Sequence, residues 1–145
     1  MMWHMAPTLL ARTRAALDLA RRDAPDEVAL AKMVSRGLPV RSIEHLIASG
    51  LPESELYRFI PRRTLQRRRS SAALLTPEES ERVERLASVL ALASSVLGEE
   101  KTAIEWLRSP KERFDGERPI DLLVSHTGAR LVEEALFQAY YGNVA

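Results

Sequence analysis

The sequence predicts an all-α fold, and three observations support this prediction. Apolar residues recur at helical spacing along most of the 145-residue chain, and no segment shows the alternation of apolar and polar residues that is typical of a β-strand. Proline and glycine residues interrupt this spacing and mark the ends of short helices. The segment Thr76-Pro77-Glu78-Glu79 is a capping box, in which a threonine stands three residues before a glutamate.

The N-terminal half is predicted to contain five helices. Their expected ranges are 9–22, 27–36, 39–49, 53–60 and 61–69. Asp26 can cap the second of these helices, and Gly37 and Gly50 can end the second and the third. Pro61 fits the first turn of the fifth helix, because a residue there needs no N–H donor.

The longest predicted helix begins at Pro77 and is ended by Gly98. Its apolar residues form two stripes, and a helix that is apolar on two sides must be buried on both. We therefore expect it to be the central helix, shared with a second copy of the chain in a homodimer. The expected dimerisation residues form one stripe: Val83, Leu86, Leu90 and Leu97.

Three shorter helices are predicted beyond this one, over residues 99–108, 119–124 and 128–141. Trp106 on the first of them is expected to lie in the core. Ser125 or Thr127 can cap the last helix. The side chains that the last helix is expected to bury share one side of it: Leu131, Val132, Ala135, Leu136 and Ala139.

Charge divides the chain into two halves of opposite sign. Residues 1–75 contain 13 Lys and Arg against 7 Asp and Glu, whereas residues 76–145 contain 8 against 13. This asymmetry favours a polyanionic partner for the first half and a different partner for the second. We accordingly expect two helical domains, over residues 1–75 and 76–145.

The basic charge is concentrated in residues 61–69, which contain five arginines. At ~100° per residue, Arg63, Gln66 and Arg67 lie opposite Leu65, which is expected to face the core. Arginine and glutamine can read guanine and adenine edges in the major groove, and the flanking residues suit phosphate oxygens. The expected DNA-binding residues of this helix-turn-helix are Arg62, Arg63, Thr64, Gln66, Arg67 and Arg69. The alternative is a solvated basic helix whose arginine stems cover apolar surface.

No arrangement of residues predicts catalysis, a metal site or a cofactor. The chain has no cysteine, and its histidines, His4, His45 and His126, show no ligand spacing. We therefore expect no catalytic residues, no bound metal and no cofactor, and we do not expect an enzyme. No apolar run approaches the ~20 residues that span a bilayer, and the N-terminus has no secretion signal. A cytoplasmic protein without membrane contact is expected.

The last predicted helix ends in Tyr140-Tyr141, and Gly142 follows it. Adjacent helical positions diverge by ~100°, so the two tyrosines cannot both face inward. An exposed aromatic residue beside a chain end is suited to anchoring a partner protein. A frayed helix end is the alternative interpretation.

Several segments together resemble the Xre/MbcA/ParS-type toxin-binding domain and the helix-turn-helix that precedes it. The segments, in order, are L-T-P-E-E-S-E-R-V-E-R-L, A-I-E-W-L-R-S-P, G-E-R-P-I-D-L-L, T-G-A-R-L-V-E-E-A-L and Y-Y-G, within residues 75–142. Upstream, R-T-L-Q-R-R is similar to the end of the helix-turn-helix, so the resemblance covers at least residues 39–142.

The resemblance implies a bacterial type II antitoxin that dimerises, represses its own operon and occludes a RES-type, NAD-consuming toxin. The partners expected on this basis are the cognate toxin, operator DNA and a second copy of the chain. The expected toxin-binding residues are Arg130, Glu134, Tyr140, Tyr141, Gly142, Asn143, Val144 and Ala145. The alternative is a stand-alone dimeric transcriptional regulator, and an enzyme acting on nucleic acid is disfavoured because no acid–base or metal cluster is visible.

Overall fold

The computed structural model describes residues 5–142, and all regular structure in this range is helical, as predicted. The helices are α1 Met5–Ala16, α2 Glu27–Arg36, α3 Val40–Ala48, α4 Glu53–Leu56, α5 Arg62–Ser71, α6 Pro77–Leu97, α7 Glu100–Leu107, α8 Pro119–Leu122 and α9 His126–Tyr141. A 3-10 turn, Glu112–Phe114, lies between α7 and α8. None of the described helices is long and apolar enough to cross a membrane.

The chain divides into two compact units, and the boundary between them along the chain falls within α6. The N-terminal unit ends at Ser88 and the C-terminal unit begins at Val89. The core of the N-terminal unit is built from apolar side chains that are at most 1% exposed, on α3 to α6 and on the segments that connect the helices: Leu17, Leu38, Ile43, Leu46, Leu56, Phe59, Ile60, Leu65, Leu75, Val83 and Leu86. The core of the C-terminal unit consists of Val89, Leu90, Ala103, Leu107, Ile120, Leu123, Val132, Ala135 and Leu136.

Two helices of the N-terminal unit are shorter than predicted. The first ends at Ala16 rather than at residue 22, because Leu17 and Leu19 are both buried. Positions two apart on a helix diverge by ~200°, so both leucines reach the core only if the chain turns. It does so through Asp18, whose φ is 55°.

The fourth helix ends at Leu56 rather than at residue 60. The N–H groups of Phe59 and Ile60 both donate to the Leu56 carbonyl at 2.9 Å, and this tight turn buries both side chains. Arg82 of α6 donates from Nε to the Phe59 carbonyl at 2.8 Å. Pro61 is the residue before α5 rather than the first residue of that helix, with extended ψ of 145°.

The predicted caps are present where α2, α6 and α9 begin. Asp26 accepts from the Ala29 N–H at 2.8 Å, and Ser125 accepts from the Gly128 N–H at 2.9 Å. In the capping box of α6, Thr76 Oγ1 accepts from the Glu79 N–H at 3.1 Å, and Glu79 Oε1 accepts from the Thr76 N–H at 2.9 Å. These bonds satisfy N–H groups that a helix start leaves without partners.

Gly37 allows two segments of the N-terminal unit to meet. Its φ is 118°, and a Cβ atom at this position would overlap the carbonyl oxygen of Leu75. The neighbouring Leu38 carbonyl accepts from the Leu75 N–H at 2.8 Å, and the Leu38 N–H donates to Ser80 Oγ at 2.8 Å. The chain between α2 and α3 is thereby fixed to both sides of the capping box.

The homodimer was predicted from surplus apolar surface on α6, and that premise is wrong for three of its four residues. Val83, Leu86 and Leu90 are each at most 1% exposed within a single chain, and Leu97 is half-buried. A dimer contact through the three buried side chains would require the core to open. The homodimer itself stays a prediction.

The last helix buries fewer residues than predicted. Val132, Ala135 and Leu136 are buried, but Leu131 is 45% exposed and Ala139 is exposed. Ala139 lies on the same side of α9 as Ala135, because four residues complete about one helical turn. Its exposure shows that the final turn of α9 extends beyond the buried part of the helix.

Gly128 is predicted to tolerate no larger residue. It lies where α8 and α9 approach, and a Cβ atom would overlap the carbonyl oxygen of Leu122. Gly128→Ala should lower the free energy of unfolding by about 1–3 kcal/mol, because the two helices must separate. Urea unfolding followed by circular dichroism measures this change.

Gly142→Ala is the matched control. The nearest atom to its added Cβ would be Gln138 Cβ at 3.6 Å, an ordinary contact. We expect this variant to unfold at nearly the same urea concentration as the parent. Equal stability of the two variants would contradict the proposed close approach at Gly128.

Candidate functional sites

The outward side of α5 carries the predicted base-reading residues. Leu65 is the fully buried residue of this helix, and Arg63, Gln66 and Arg67 are exposed on the opposite side. Arg62 is also exposed, and Thr64 is half-buried. Among residues 5–142, no hydrogen bond or salt bridge joins the side chains of Arg62, Arg63 and Arg67 to a carboxylate, although the charge of Arg62 acts on Glu53. Their guanidinium groups are therefore available to a phosphate or a base edge, and DNA binding by these residues stays a prediction.

Arg69, predicted to contact phosphate, is instead engaged with two carboxylates from other helices. Its Nε and Nη2 donate to Glu44 of α3 at 3.0 and 2.7 Å, and its Nη1 and Nη2 donate to Glu53 of α4 at 3.1 and 2.8 Å. We call this arrangement the Arg69 bridge. A phosphate contact through Arg69 would have to displace one of these carboxylates.

The Arg69 bridge continues to Tyr57, whose hydroxyl donates to Glu53 Oε2 at 2.6 Å. The hydrogen bonds from Arg69 and then from Tyr57 lower the pKa of Glu53 to about 2, against a smaller opposing effect of burial. The hydrogen bonds to Glu53 and then to Glu44 raise the pKa of Arg69, and the bond to Glu53 raises the pKa of Tyr57. Glu53 therefore stays ionised down to strongly acidic pH.

Arg68 was not among the predicted functional residues, yet it joins α5 to α6. Its Nε and Nη2 donate to the two carboxylate oxygens of Glu79 at 3.2 and 3.1 Å. Burial raises the pKa of Glu79, but the hydrogen bonds from Arg68 and Thr76 outweigh it, and the net pKa is lowered. The sequence alone does not show which of the consecutive residues Arg67, Arg68 and Arg69 pairs with a carboxylate of another helix.

The outward side of α9 carries three of the predicted toxin-binding residues and one that was missed. Arg130, Glu134 and Tyr141 recur at helical spacing together with Phe137, which is 37% exposed. The rings of Phe137 and Tyr141 are stacked with their centroids 6.2 Å apart. Tyr140, 41% exposed, packs edge-on against Tyr141 at 4.6 Å. We call Phe137, Tyr140 and Tyr141 the aromatic surface.

The helix that carries the aromatic surface ends at Gly142, whose N–H donates to the Gln138 carbonyl. The other predicted tail residues, Asn143, Val144 and Ala145, lie outside the described residues.

Arg113, on the 3-10 turn, donates from Nη2 to Gln138 Oε1 at 2.7 Å. Lys111 lies 5.0 Å from the ring centre of Trp106, which is half-buried rather than fully in the core. The contact between Arg113 and α9 was not predicted from the sequence.

The described residues contain no group of three or more His, Cys, Asp or Glu that could hold a metal ion. His45 and His126 are exposed, and His4 lies outside the described range. Glu133, on α9, is half-buried, and burial raises its pKa despite the opposing charge of His126.

Comparison with known proteins shows that α5 and α9 each lie in a segment that matches a known domain family. Residues 29–88, which include α5, match the antitoxin Xre-like helix-turn-helix domain. Residues 92–142, which include α9, match the antitoxin Xre/MbcA/ParS C-terminal toxin-binding domain. The all-α architecture is therefore a helix-turn-helix domain followed by a toxin-binding domain.

Two curated relatives are similar to the chain, and both are described as antitoxin Xre. The protein from Yersinia enterocolitica serotype O:8 / biotype 1B is 34% identical over 141 residues, or 94% of this chain and 95% of the relative. The protein from Pseudomonas putida is 43% identical over 84 residues, or 58% of this chain and 53% of the relative. That second match thus spans about half of the Pseudomonas protein.

Acidification is predicted to weaken the Arg69 bridge through Glu53. The pKa of Glu53 is about 2 in the folded chain against an ordinary value of 4.5, so the unfolded chain takes up this proton first as pH falls. The contribution of Glu53 to stability is complete above about pH 5 and is lost as pH falls towards about 2. Glu53→Gln should therefore lower the midpoint of thermal unfolding more at about pH 6 than at about pH 3.

Glu81→Gln, at an exposed acid on α6 outside the bridge, is the control for that experiment. We expect its thermal midpoint to stay close to that of the parent at both pH values. A difference between Glu53→Gln and the parent that is the same at both pH values would show that the bridge does not titrate through Glu53.

Proposed function

The chain belongs to the Xre family of antitoxins, and from this premise we propose that it neutralises a cognate toxin through α9 and represses its own operon through α5. The toxin we propose is of the RES type and consumes NAD. The observation that carries the proposal is the aromatic surface, which is exposed on the domain that matches toxin-binding domains.

The aromatic surface has the properties of a protein-binding site. Aromatic side chains dominate the energetics of interfaces, and the large apolar groups of Phe137 and Tyr140 are exposed to solvent. Arg130 and Glu134 are exposed on the same helix and can form the polar rim of the contact. Leu131, also exposed, adds apolar area next to them.

The tail beyond α9 is proposed to reach the active site of the toxin. Residues 142–145 can extend ~13 Å at most, far enough to enter a pocket beside the contact surface. Because so short a segment makes few contacts, most of the binding energy should come from α9, and the tail should serve chiefly to occlude the active site.

Repression of the operon is proposed to depend on the exposed side of α5. Arg63, Gln66 and Arg67 would contact base edges, while Arg62 and Thr64 would contact phosphates. Repressors with a helix-turn-helix bind two half-sites as dimers, so we also propose a homodimer. Its contact must involve surfaces other than the buried side chains of Val83, Leu86 and Leu90.

The first prediction for this function concerns the tail. Deletion of residues 142–145 should leave the complex with the neighbouring gene product assembled and should restore part of its NAD-consuming activity. Coexpression, co-purification and an NAD assay of the purified complex measure both effects. Complete silencing by the truncated chain would show that another surface occludes the active site.

The second prediction for this function concerns the aromatic surface. Phe137→Ala should weaken toxin binding by about 2 kcal/mol, because truncation of a central aromatic residue commonly has this effect. Val28→Ala, which truncates an exposed apolar residue of the N-terminal unit, is the control and should bind as the parent does. Binding is measured by calorimetry with an inactive toxin variant, and equal losses in the two variants would exclude the aromatic surface.

The third prediction for this function concerns DNA binding by α5. Arg63→Ala and Arg67→Ala should each weaken binding to the promoter fragment of the chain's own operon by about 1–3 kcal/mol if they contact bases. Arg22→Ala removes an equal charge at an exposed position between α1 and α2 and should have a smaller effect. Fluorescence anisotropy at fixed salt measures the affinities. If Arg63→Ala and Arg67→Ala bind no more weakly than Arg22→Ala, the assignment of base contacts to α5 is wrong.

A further inference from the structure

Two different kinds of arginine occupy α5. Arg62, Arg63 and Arg67 are exposed, whereas Arg68 and Arg69 in the last turn are held by carboxylates of other helices. The basic segment is therefore divided into side chains that can meet DNA and side chains that attach the helix to the rest of its unit.

The contacts of Arg68 and Arg69 matter because α5 packs on the core through few other side chains. Leu65 is its one buried residue, and a helix packed through a single side chain can rotate about it. Arg68 fixes the last turn to α6, and Arg69 fixes the same turn to α3 and α4. Bidentate pairs between arginine and carboxylate are specific in geometry, so they restrict this rotation.

Stability alone is a weak reason for the Arg69 bridge. Side chains in it are 29–47% exposed, and ion pairs with such exposure contribute little to the free energy of folding. The two carboxylates also lie beside a helix proposed to approach DNA, where they repel phosphates. The Arg69 bridge thus adds little stability and opposes non-specific DNA binding. Its presence is explained if it sets the orientation of α5.

We infer that Arg69, held by Glu44 and Glu53, is a positioning residue that sets the angle at which α5 presents Arg63, Gln66 and Arg67 to DNA. The bridge thereby determines sequence selectivity rather than overall affinity, because base contacts need aligned donors and phosphate contacts do not. This inference rests on the proposed DNA binding.

The two possible roles of Arg69 predict opposite effects on promoter binding when the two carboxylates are removed. If Arg69 served as a phosphate contact, the double variant Glu44→Gln, Glu53→Gln would free it and strengthen binding to every DNA. If Arg69 is a positioning residue, the same variant binds a shuffled fragment more tightly because it has lost two negative charges. It binds the promoter fragment more weakly, because the donors of α5 are no longer aligned.

The experiment uses the full chain, its own promoter fragment and a shuffled fragment of equal length and composition. Anisotropy titrations at several salt concentrations give both affinities and their ratio. We expect the ratio to fall about tenfold in the double variant, the loss expected for one base contact. The charge-matched control is Asp23→Asn, Glu81→Gln, two exposed acids of the same unit, for which both affinities should rise and the ratio should hold.

Arg69→Lys gives an independent test that keeps the charge. Lysine is a point charge and cannot bond two carboxylates bidentately, so selectivity should fall while affinity for the shuffled fragment is retained. Helical circular dichroism confirms that each variant is folded, and if the double variant has lost helicity, Arg69→Lys decides the matter.

Three results would overturn the inference. An unchanged ratio in the folded double variant, or in Arg69→Lys if the double variant does not fold, would show that the bridge does not orient α5. Tighter promoter binding by the double variant would make Arg69 a phosphate contact. If the parent itself does not distinguish the two fragments, sequence-specific DNA binding fails as a proposal and the positioning role fails with it.

Discussion

The carboxylate of Glu79 holds together the part of the N-terminal unit on which the DNA-binding surface depends. It completes the capping box of α6 by accepting from the Thr76 N–H, and it pairs with both donors of Arg68 at the end of α5. The group is almost fully buried, so its charge would be costly without these partners. Because one carboxylate serves both the start of α6 and the end of α5, the long helix and the basic helix are fixed to each other at the same point.

The arginines of α5 illustrate how a basic segment can carry two functions at once. Charge density alone favours binding to any polyanion, and five exposed arginines would do no more than that. Here the last two are neutralised by Glu79, Glu44 and Glu53, and the outward side keeps the remaining positive charge. The basic surface available for the proposed DNA contact is therefore smaller than the sequence suggests.

Sequence periodicity and capping residues were sufficient to predict the helices, because Asp26, Ser125 and the capping box act within a few residues of each other. The turns at Asp18 and after Leu56 were missed because tertiary burial determines them, and burial is not visible in local spacing. The dimer prediction treated the two stripes of α6 as surplus, whereas Val83, Leu86 and Leu90 are buried within the single chain. On α5 and α9, helical spacing identified the outward side, but it could not show that Arg69 is engaged or that Phe137 completes the aromatic surface.

The exposure of the aromatic surface has a structural cause that bears on how it would bind. Because the final turn of α9 extends beyond the buried part of the helix, Tyr140 and Tyr141 have no core to enter and pack on each other and on Phe137. Rings that restrict one another lose less conformational freedom when a partner covers them, so less binding energy is spent on ordering them. Arg113, bonded to Gln138, holds the neighbouring 3-10 turn against the same helix. For the proposed contact with the toxin, the end of α9 therefore offers a surface that is already ordered in the free chain.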